Sequence, residues 1–243
     1  MIKFAILGHK GRMGQALAAA IEEAGHEFRV GVDVGGDPTP SLGQCDIAVD
    51  FSSPDGLIAN VNAAREVGIP IVIGTTGLEP EHFAAIEDAA QTIPVLQTGN
   101  TSLGVTLLAA LVKQASAKLG TDWDIEIVEM HHRGKVDAPS GTAKLLGEAA
   151  AAGRGIDLAT NREAGRDGNT GAREPGAIGF ASLRGGTVAG DHSVILAGSE
   201  ERLTLSHSAE NRMIFARGAV KGAAWMIGKP AGRYTMEDVL DLN

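Results

Sequence analysis

In the first hundred residues, short apolar runs alternate with stretches whose apolar positions recur at helical spacing. Ile2–Leu7, Phe28–Val32, Asp46–Phe51, Pro70–Ile73 and Pro94–Gln97 read as buried strands, and Met13–Ala24, Gly56–Val67 and Pro80–Ala90 as amphipathic helices. That alternation predicts βαβ units and a parallel sheet with helices on both faces. After Asn100 the texture changes to a helix over Val105–Leu119, a strand over Asp124–Glu129 and a helix over Thr142–Ala152. Gly153–Gly176 has no apolar period and reads as a long exposed loop. Ile178–Leu183, His192–Ala197 and Arg202–Ser208 then alternate as strands of a second, mixed sheet, and a helix over Asn211–Ile227 closes back on the first domain. The expected fold is α/β. An N-terminal Rossmann-type parallel sheet over 1–102, completed by 211–243, is followed by a second α+β domain over 103–210 built on a mixed sheet.

Composition narrows the partners. The 243 residues carry 21 basic and 30 acidic side chains, a net charge of −9, which argues against nucleic acid or an anionic membrane. The apolar run before the first glycine is too short for a signal peptide, and no later stretch reaches the length of a membrane span, so a cytoplasmic protein is expected. Cys45 stands alone, with no partner for an intramolecular disulfide, and is read as a bystander. No Cys/His spacing or HExxH pattern calls for a metal.

Two stretches carry chemistry. GHKGRMG at 8–14 lies between a strand and a helix, where glycines at 8, 11 and 14 allow a tight turn and close approach of a pyrophosphate to the helix start. Such a trio alone equally serves a tight turn, but Asp33 follows at the end of the next strand, placed to accept hydrogen bonds from ribose hydroxyls. Val34-Gly35-Gly36 offers no arginine to a 2′-phosphate, which favours NADH, while Lys10 and Arg12 still attract one. IGTTG at 73–77 and TGNTSLG at 98–104 follow strands, where an open α/β sheet binds ligands. EMHHRGKVDAPSGTA at 129–143 gathers His131, His132, Arg133 and Lys135 just after a strand, then supplies Ser140-Gly141-Thr142 at a helix start. Cationic side chains and helical N–H groups together form a double anion trap, and a histidine within it is a candidate general acid. A small dicarboxylate substrate that also accepts a proton is implied.

These motifs resemble those of the 4-hydroxy-tetrahydrodipicolinate reductase family, also called dihydrodipicolinate reductases. The matching pieces are GRMG at 11–14, IGTTG at 73–77, N-x-S-x-G at 100–104, HHRGKVDAPSGTA at 131–143, IGF at 178–180 and the closing MEDVLDL, in the family's order. The resemblance implies a proton donor at His131, a second catalytic cation at Lys135, and substrate contacts at His132, Gly141 and Thr142, to which the anion trap adds Ser140. It puts cofactor contacts at Gly8, His9, Lys10, Gly11, Arg12, Met13, Asp33, Gly74, Thr75, Thr76, Thr98, Gly99, Asn100 and Thr101. It further implies a homotetramer, while the contest between Asp33 and the Lys10–Arg12 cations predicts use of both NADH and NADPH, with NADH ahead. The mechanism the resemblance implies delivers hydride to C4 of an unsaturated ring bearing two carboxylates, with His131 expected to protonate C3. His9-Lys10 departs from the small residues usual after the first glycine, and Thr101 stands where many relatives have phenylalanine. Val34–Gln44 is short for a full crossover helix, so the adenine side is expected to be open. An NADH-sensing regulator without catalysis explains the first hundred residues but not the cation–histidine cluster. A dehydrogenase of an acyclic dicarboxylate is the rival enzyme.

Overall fold

The computed structural model describes residues 1–242. Among them the chain divides into two compact units, Met1–Leu103 with Arg212–Asn243, and Gly104–Asn211.

The first unit is built on a six-stranded sheet of β1 (Lys3–Leu7), β2 (Glu27–Val32), β3 (Ile47–Asp50), β4 (Ile71–Ile73), β5 (Pro94–Gln97) and β11 (Gly232–Tyr234). The order is β11-β5-β4-β3-β1-β2 and every pairing is parallel. Strands buried on both faces need apolar side chains at every position, and IAVD of β3 and IVI of β4 are buried throughout. One face packs Phe4, Ile6, Ile47 and Val49 against α1 (Arg12–Glu23) and α8 (Met213–Met226). The other packs Ala5, Leu7, Ala48 and Ile71 against α3 (Pro54–Val67) and α4 (Pro80–Ala90). Between β2 and β3 the crossover is only the four-residue α2 (Thr39–Leu42), as the short Val34–Gln44 segment requires. Cys45 is buried against this second core, where burial pushes its thiol up to about 11, so it is neither exposed nor reactive.

The second unit holds a mixed sheet of β6 (Asp124–His131), β7 (Arg162–Ala164), β8 (Ile178–Arg184), β9 (Gly190–Ala197) and β10 (Arg202–Ala209), in the order β10-β9-β6-β8-β7. β6 pairs parallel with β8 and antiparallel with β9. Strict alternation in DIEIVEMH buries Ile125, Ile127, Glu129 and His131 on one face. Helices α5 (Leu103–Leu119) and α6 (Gly141–Arg154) supply Leu108, Val112, Leu146 and Ala150 to that core.

The long loop expected over 153–176 is corrected in its first half, while 165–176 form no helix or strand and are largely exposed. α6 runs to Arg154, and the segment continues through α7 (Leu158–Asn161), capped by Asp157, and β7, which pairs with β8. β7 reads REA and lies at a sheet edge, so its strand character comes from backbone pairing and leaves no apolar alternation to read. Its charges are paired: Arg166 bonds Glu163 and Glu126, and Arg173 bonds Asp124 and Glu126. β11 and α9 (Met236–Val239), beyond the expected last helix, extend the first unit's sheet and core.

Candidate active site

In the first unit a cavity of about 430 Å³ opens at the carboxyl ends of β3, β4 and β5. Its lining comprises Met13, Phe51–Pro54, Gly74–Thr76, Thr98–Thr101 and Phe215. Asp50, the last residue of β3 and fully buried, organises two of these segments. Its Oδ1 accepts the Ser52 N–H at 3.0 Å, the Ser52 hydroxyl at 2.8 Å and the Thr75 hydroxyl at 2.7 Å, and its Oδ2 accepts the Asn60 amide at 2.7 Å. The Thr98 hydroxyl closes a turn with the backbone of Asn100, and the buried Thr101 hydroxyl donates to the Phe215 carbonyl at 2.7 Å. Thr101 therefore meets the cavity as part of its wall, its hydroxyl already bonded.

The glycine turn lies at the β1 end of the same sheet, outside the cavity lining except for Met13. Gly11 is the N-cap of α1 and makes no side-chain cap. A Cβ on Gly14 would stand 2.3 Å from the carbonyl oxygens of Gly8 and His9, so only glycine lets helix and turn approach this closely. Gly8 N–H donates to the Val32 carbonyl at 2.8 Å, and Lys10 N–H donates to Asp33 Oδ1 at 2.9 Å. His9 turns inward: its ring stacks on Phe28 with centroids 4.9 Å apart, and its Nδ1 is 4.0 Å from Asp33 Oδ2. The unusual His9-Lys10 pair thus shapes the turn around Asp33, while Arg12 is exposed.

In the second unit the catalytic candidates surround a carboxylate that sequence reasoning passed over. Glu129 is 1% exposed. Its Oε2 lies 2.5 Å from His131 Nδ1, and Arg184 donates to both its oxygens at 2.9 and 3.0 Å. Burial pushes this carboxyl up, but hydrogen bonds from Arg184, His131 and Ser182 outweigh burial and hold it at about 2. Lys135 Nζ sits 2.8 Å from Asp137, whose carboxyl it holds below the usual range. His132 is half-buried, and its N–H donates to the Val188 carbonyl at 2.8 Å.

Ser140 requires a correction. Its hydroxyl accepts the Ala143 N–H at 3.2 Å and lies 3.0 Å from His192 Nε2, and its N–H donates to Glu129 Oε1 at 3.2 Å. At 2% exposure with all these groups engaged, Ser140 caps and braces the helix start, and Gly141 and Thr142 form the first turn of α6 after it. His192 also escaped the sequence reading. Burial first, then the neighbouring His131, lowers it to about 4, so it is neutral where it meets the Ser140 hydroxyl. Glu129 carried a legible signal, being in the buried register of β6 two residues before His131. Arg184, from a distant strand, did not. Neither Asp50 nor Phe215 belongs to a motif, although Phe51–Pro54 follow a strand as IGTTG does.

A parallel sheet with its glycine turn and a cavity at the strand ends, in a chain whose second unit carries a carboxylate-held histidine, defines a pyridine-nucleotide oxidoreductase. Family models described as dihydrodipicolinate reductase, N-terminus, and dihydrodipicolinate reductase, C-terminus, match residues 2–101 and 104–240. The chain belongs to the dihydrodipicolinate reductase family. It is 56% identical over 213 residues to the 4-hydroxy-tetrahydrodipicolinate reductase of Methylocella silvestris, covering 88% of this chain and 78% of that one. It is 53% identical to the same-named protein of Zymomonas mobilis, covering 99% and 98%. A dipicolinate-bound dihydrodipicolinate reductase from Paenisporosarcina sp. TG-14 shares the fold, with a TM-score of 0.73 at 22% identity over 97% of each chain. No helix among the described residues is long and apolar enough to cross a membrane, and none of their His, Cys, Asp and Glu side chains cluster as a metal site.

Proposed function

We propose that the protein reduces 4-hydroxy-tetrahydrodipicolinate to tetrahydrodipicolinate in diaminopimelate and lysine biosynthesis, using NADH or NADPH. The observation that carries this reading is the second unit's cluster. A histidine held by a buried carboxylate stands on the strand leading into the Lys135 loop and the Gly141-Thr142 helix start. A ring with two carboxylates needs two anion-binding groups and a proton donor, and this short stretch contains them.

The first unit fits a dinucleotide by its own geometry. Gly11 caps α1 without a side chain, so N–H groups of the first turn are available to a pyrophosphate. Asp33 directly follows β2, and the cavity has room for a planar ring between the 51–54 and 98–101 segments. When bound, NAD(P)H supplies the hydride to C4 of the dehydrated ring. His131 then protonates C3 as charge develops there, Lys135 neutralises one carboxylate, and the N–H groups of Gly141 and Thr142 hold another. His132 adds a further contact. Asp33 favours a ribose with a free 2′-hydroxyl, and Lys10 and Arg12 temper that preference, so both cofactors serve with NADH ahead.

We assign residues 1–102 with 211–243 to cofactor binding and 103–210 to substrate binding and assembly. The sheet face of the second unit opposite its helical core carries Val128, Met130, Ala181, Leu183 and Ile195, and Leu183 is 50% exposed. Such an apolar face supports a homotetramer. The single free thiol suits a reducing compartment, here the cytoplasm. Oxidation of NADH in the presence of the freshly generated cyclic intermediate, set beside acyclic keto dicarboxylates, tests the reading. Turnover with the cyclic compound alone supports it. Turnover only with an acyclic acid, or none, refutes it.

A further inference from the structure

We infer that Glu129, clamped by Arg184, is the positioning residue for the proton donor: it accepts a hydrogen bond from His131 Nδ1–H and commits Nε2 to the substrate. The inference rests on the assignment of His131 as donor. His131 and Glu129 are two residues apart on β6 and so project to the same buried face, where Nδ1 and Oε2 are 2.5 Å apart. In this register the ring keeps Nδ1–H in both protonation states, so the proton that leaves must come from Nε2. The imidazolium loses that proton to the ring carbon, remains the Nδ1–H imidazole, and is reprotonated from water. Gly190 flanks the Nε2 side, where a Cβ would stand 3.0 Å from that nitrogen, so a glycine there keeps a side chain from crowding it.

The carboxylate is itself fixed from every side. Arg184 lies opposite His131 in the β6–β8 register and grips both Glu129 oxygens, and the Ser140 N–H takes a further lone pair of Oε1. Arg184 also donates to the Asp137 carbonyl, so one ion pair ties the start, middle and end of the loop that carries Lys135. The low value of the Glu129 carboxyl means that it does not take the proton from His131 across the neutral range. The other charged or titratable neighbours are few. From β9, the edge of His192 meets the His131 ring at 5.0 Å, and its burial keeps it uncharged at neutral pH. Asp191 and His207 lie beyond it on β9 and β10, and the loop contributes His132 and the Lys135–Asp137 pair. Glu129 is therefore the anion in direct contact with the ring. A bidentate arginine resists rotation of the carboxylate in a way a lysine does not.

Glu129→Gln keeps the shape of the side chain and removes its charge. It should lower kcat by on the order of a hundredfold, the scale set by a positioned acid and its orienting carboxylate. The pH above which kcat/KM falls should move lower, because the anion that favours the imidazolium is gone. KM for NADH should not change, and Arg184→Lys should retain more activity than Arg184→Met. A Glu129→Gln enzyme with wild-type kcat and an unshifted pH profile overturns the inference. If these variants do not fold, ¹⁵N NMR of histidine-labelled wild-type protein decides. A protected, strongly downfield Nδ1 proton on His131 supports the inference, and an Nδ1 without a proton, or one exchanging freely with solvent, overturns it. Wild-type protein that never reduces the cyclic dicarboxylate removes the functional reading itself, a result independent of any variant.

Discussion

Asp50 gives the sharpest test of how the first unit holds its cavity. Asp50→Ala removes four hydrogen bonds at once, but their losses are unequal. Ser52 is exposed and its N–H and hydroxyl can turn to water, whereas Thr75 is 5% exposed. An unpaired buried donor costs about 1–3 kcal/mol, and the half-buried Asn60 amide, which keeps the Ser52 hydroxyl at 3.2 Å, adds about 1 more. The expected loss is therefore about 3 kcal/mol from a unit whose total stability is of order 5–15 kcal/mol. Asp50→Asn keeps an oxygen for Ser52 and Thr75, and Asn60 can rotate its amide to present an acceptor, so its cost should be about 1 kcal/mol or less. Function should follow stability, because Asp50 joins the 51–54 segment to the 74–76 segment and both line the cavity. A misplacement worth about 1.4 kcal/mol weakens NADH tenfold, and Asp50→Ala should reach at least that. The chain has two tryptophans, Trp225 on α8 of the first unit and Trp123 in the second, so a Trp123→Phe background lets fluorescence report the first unit alone. Urea unfolding and NADH titration in that background give both quantities. An Asp50→Ala protein with the wild-type urea midpoint and wild-type NADH affinity refutes the proposed role of the carboxyl.

Acid should destabilise the second unit in two stages. His192, lowered to about 4 in the fold, is protonated in the unfolded chain below about 6.5, so its contribution is lost as pH falls between those values. Glu129, held at about 2, contributes above about 4.5 and loses on the order of 3 kcal/mol as pH falls toward 2. Urea midpoints followed through Trp123 in a Trp225→Phe background that stay constant from pH 6.5 to 4 contradict the first stage. Lys135→Ala should raise KM, lower kcat and weaken inhibition by pyridine-2,6-dicarboxylate, while Asp137→Asn, which frees the lysine, should tighten that inhibitor. Unchanged inhibition in both variants places carboxylate binding elsewhere. Asp33→Ser should shift kcat/KM toward NADPH as a repulsion with the 2′-phosphate is removed, and salt should weaken NADPH use more than NADH use, since only the former draws on exposed Lys10 and Arg12. A wild-type preference for NADPH at physiological salt counts against Asp33 as the deciding group.

The fold was legible where burial dictates side chains. β1, β3 and β4 must be apolar on both faces, and β6 must alternate, so their composition announces them to within a residue or two. β7 and β11 were invisible because each is three residues long at a sheet edge, held by backbone hydrogen bonds that REA and GRY do not advertise. The same division runs through the site. Local chemistry, the glycine turn and the HHRGK run, could be read directly. Asp50 and Arg184 could not, because their meaning lies in partners set by topology: Arg184 meets Glu129 only through the β6–β8 register.

That register also changes what the basic run is. Read along the chain, His131, His132, Arg133 and Lys135 look like an accumulation of unspent positive charge. In the fold, Lys135 faces Asp137, and His131 shares Glu129 with Arg184. The cluster is closer to neutral than its sequence suggests, which spares the empty site the repulsion of several adjacent cations. On the proposed function, a dianion arriving at Lys135 has to take the place of Asp137. It does not meet a bare charge, so part of the attraction is offset by the pair that must open. The carboxylate site proposed at the start of α6 is different in kind, since a helix dipole is fixed in the backbone. On the function proposed above, one exchangeable cation and one fixed dipole would together hold a dicarboxylate in a defined orientation.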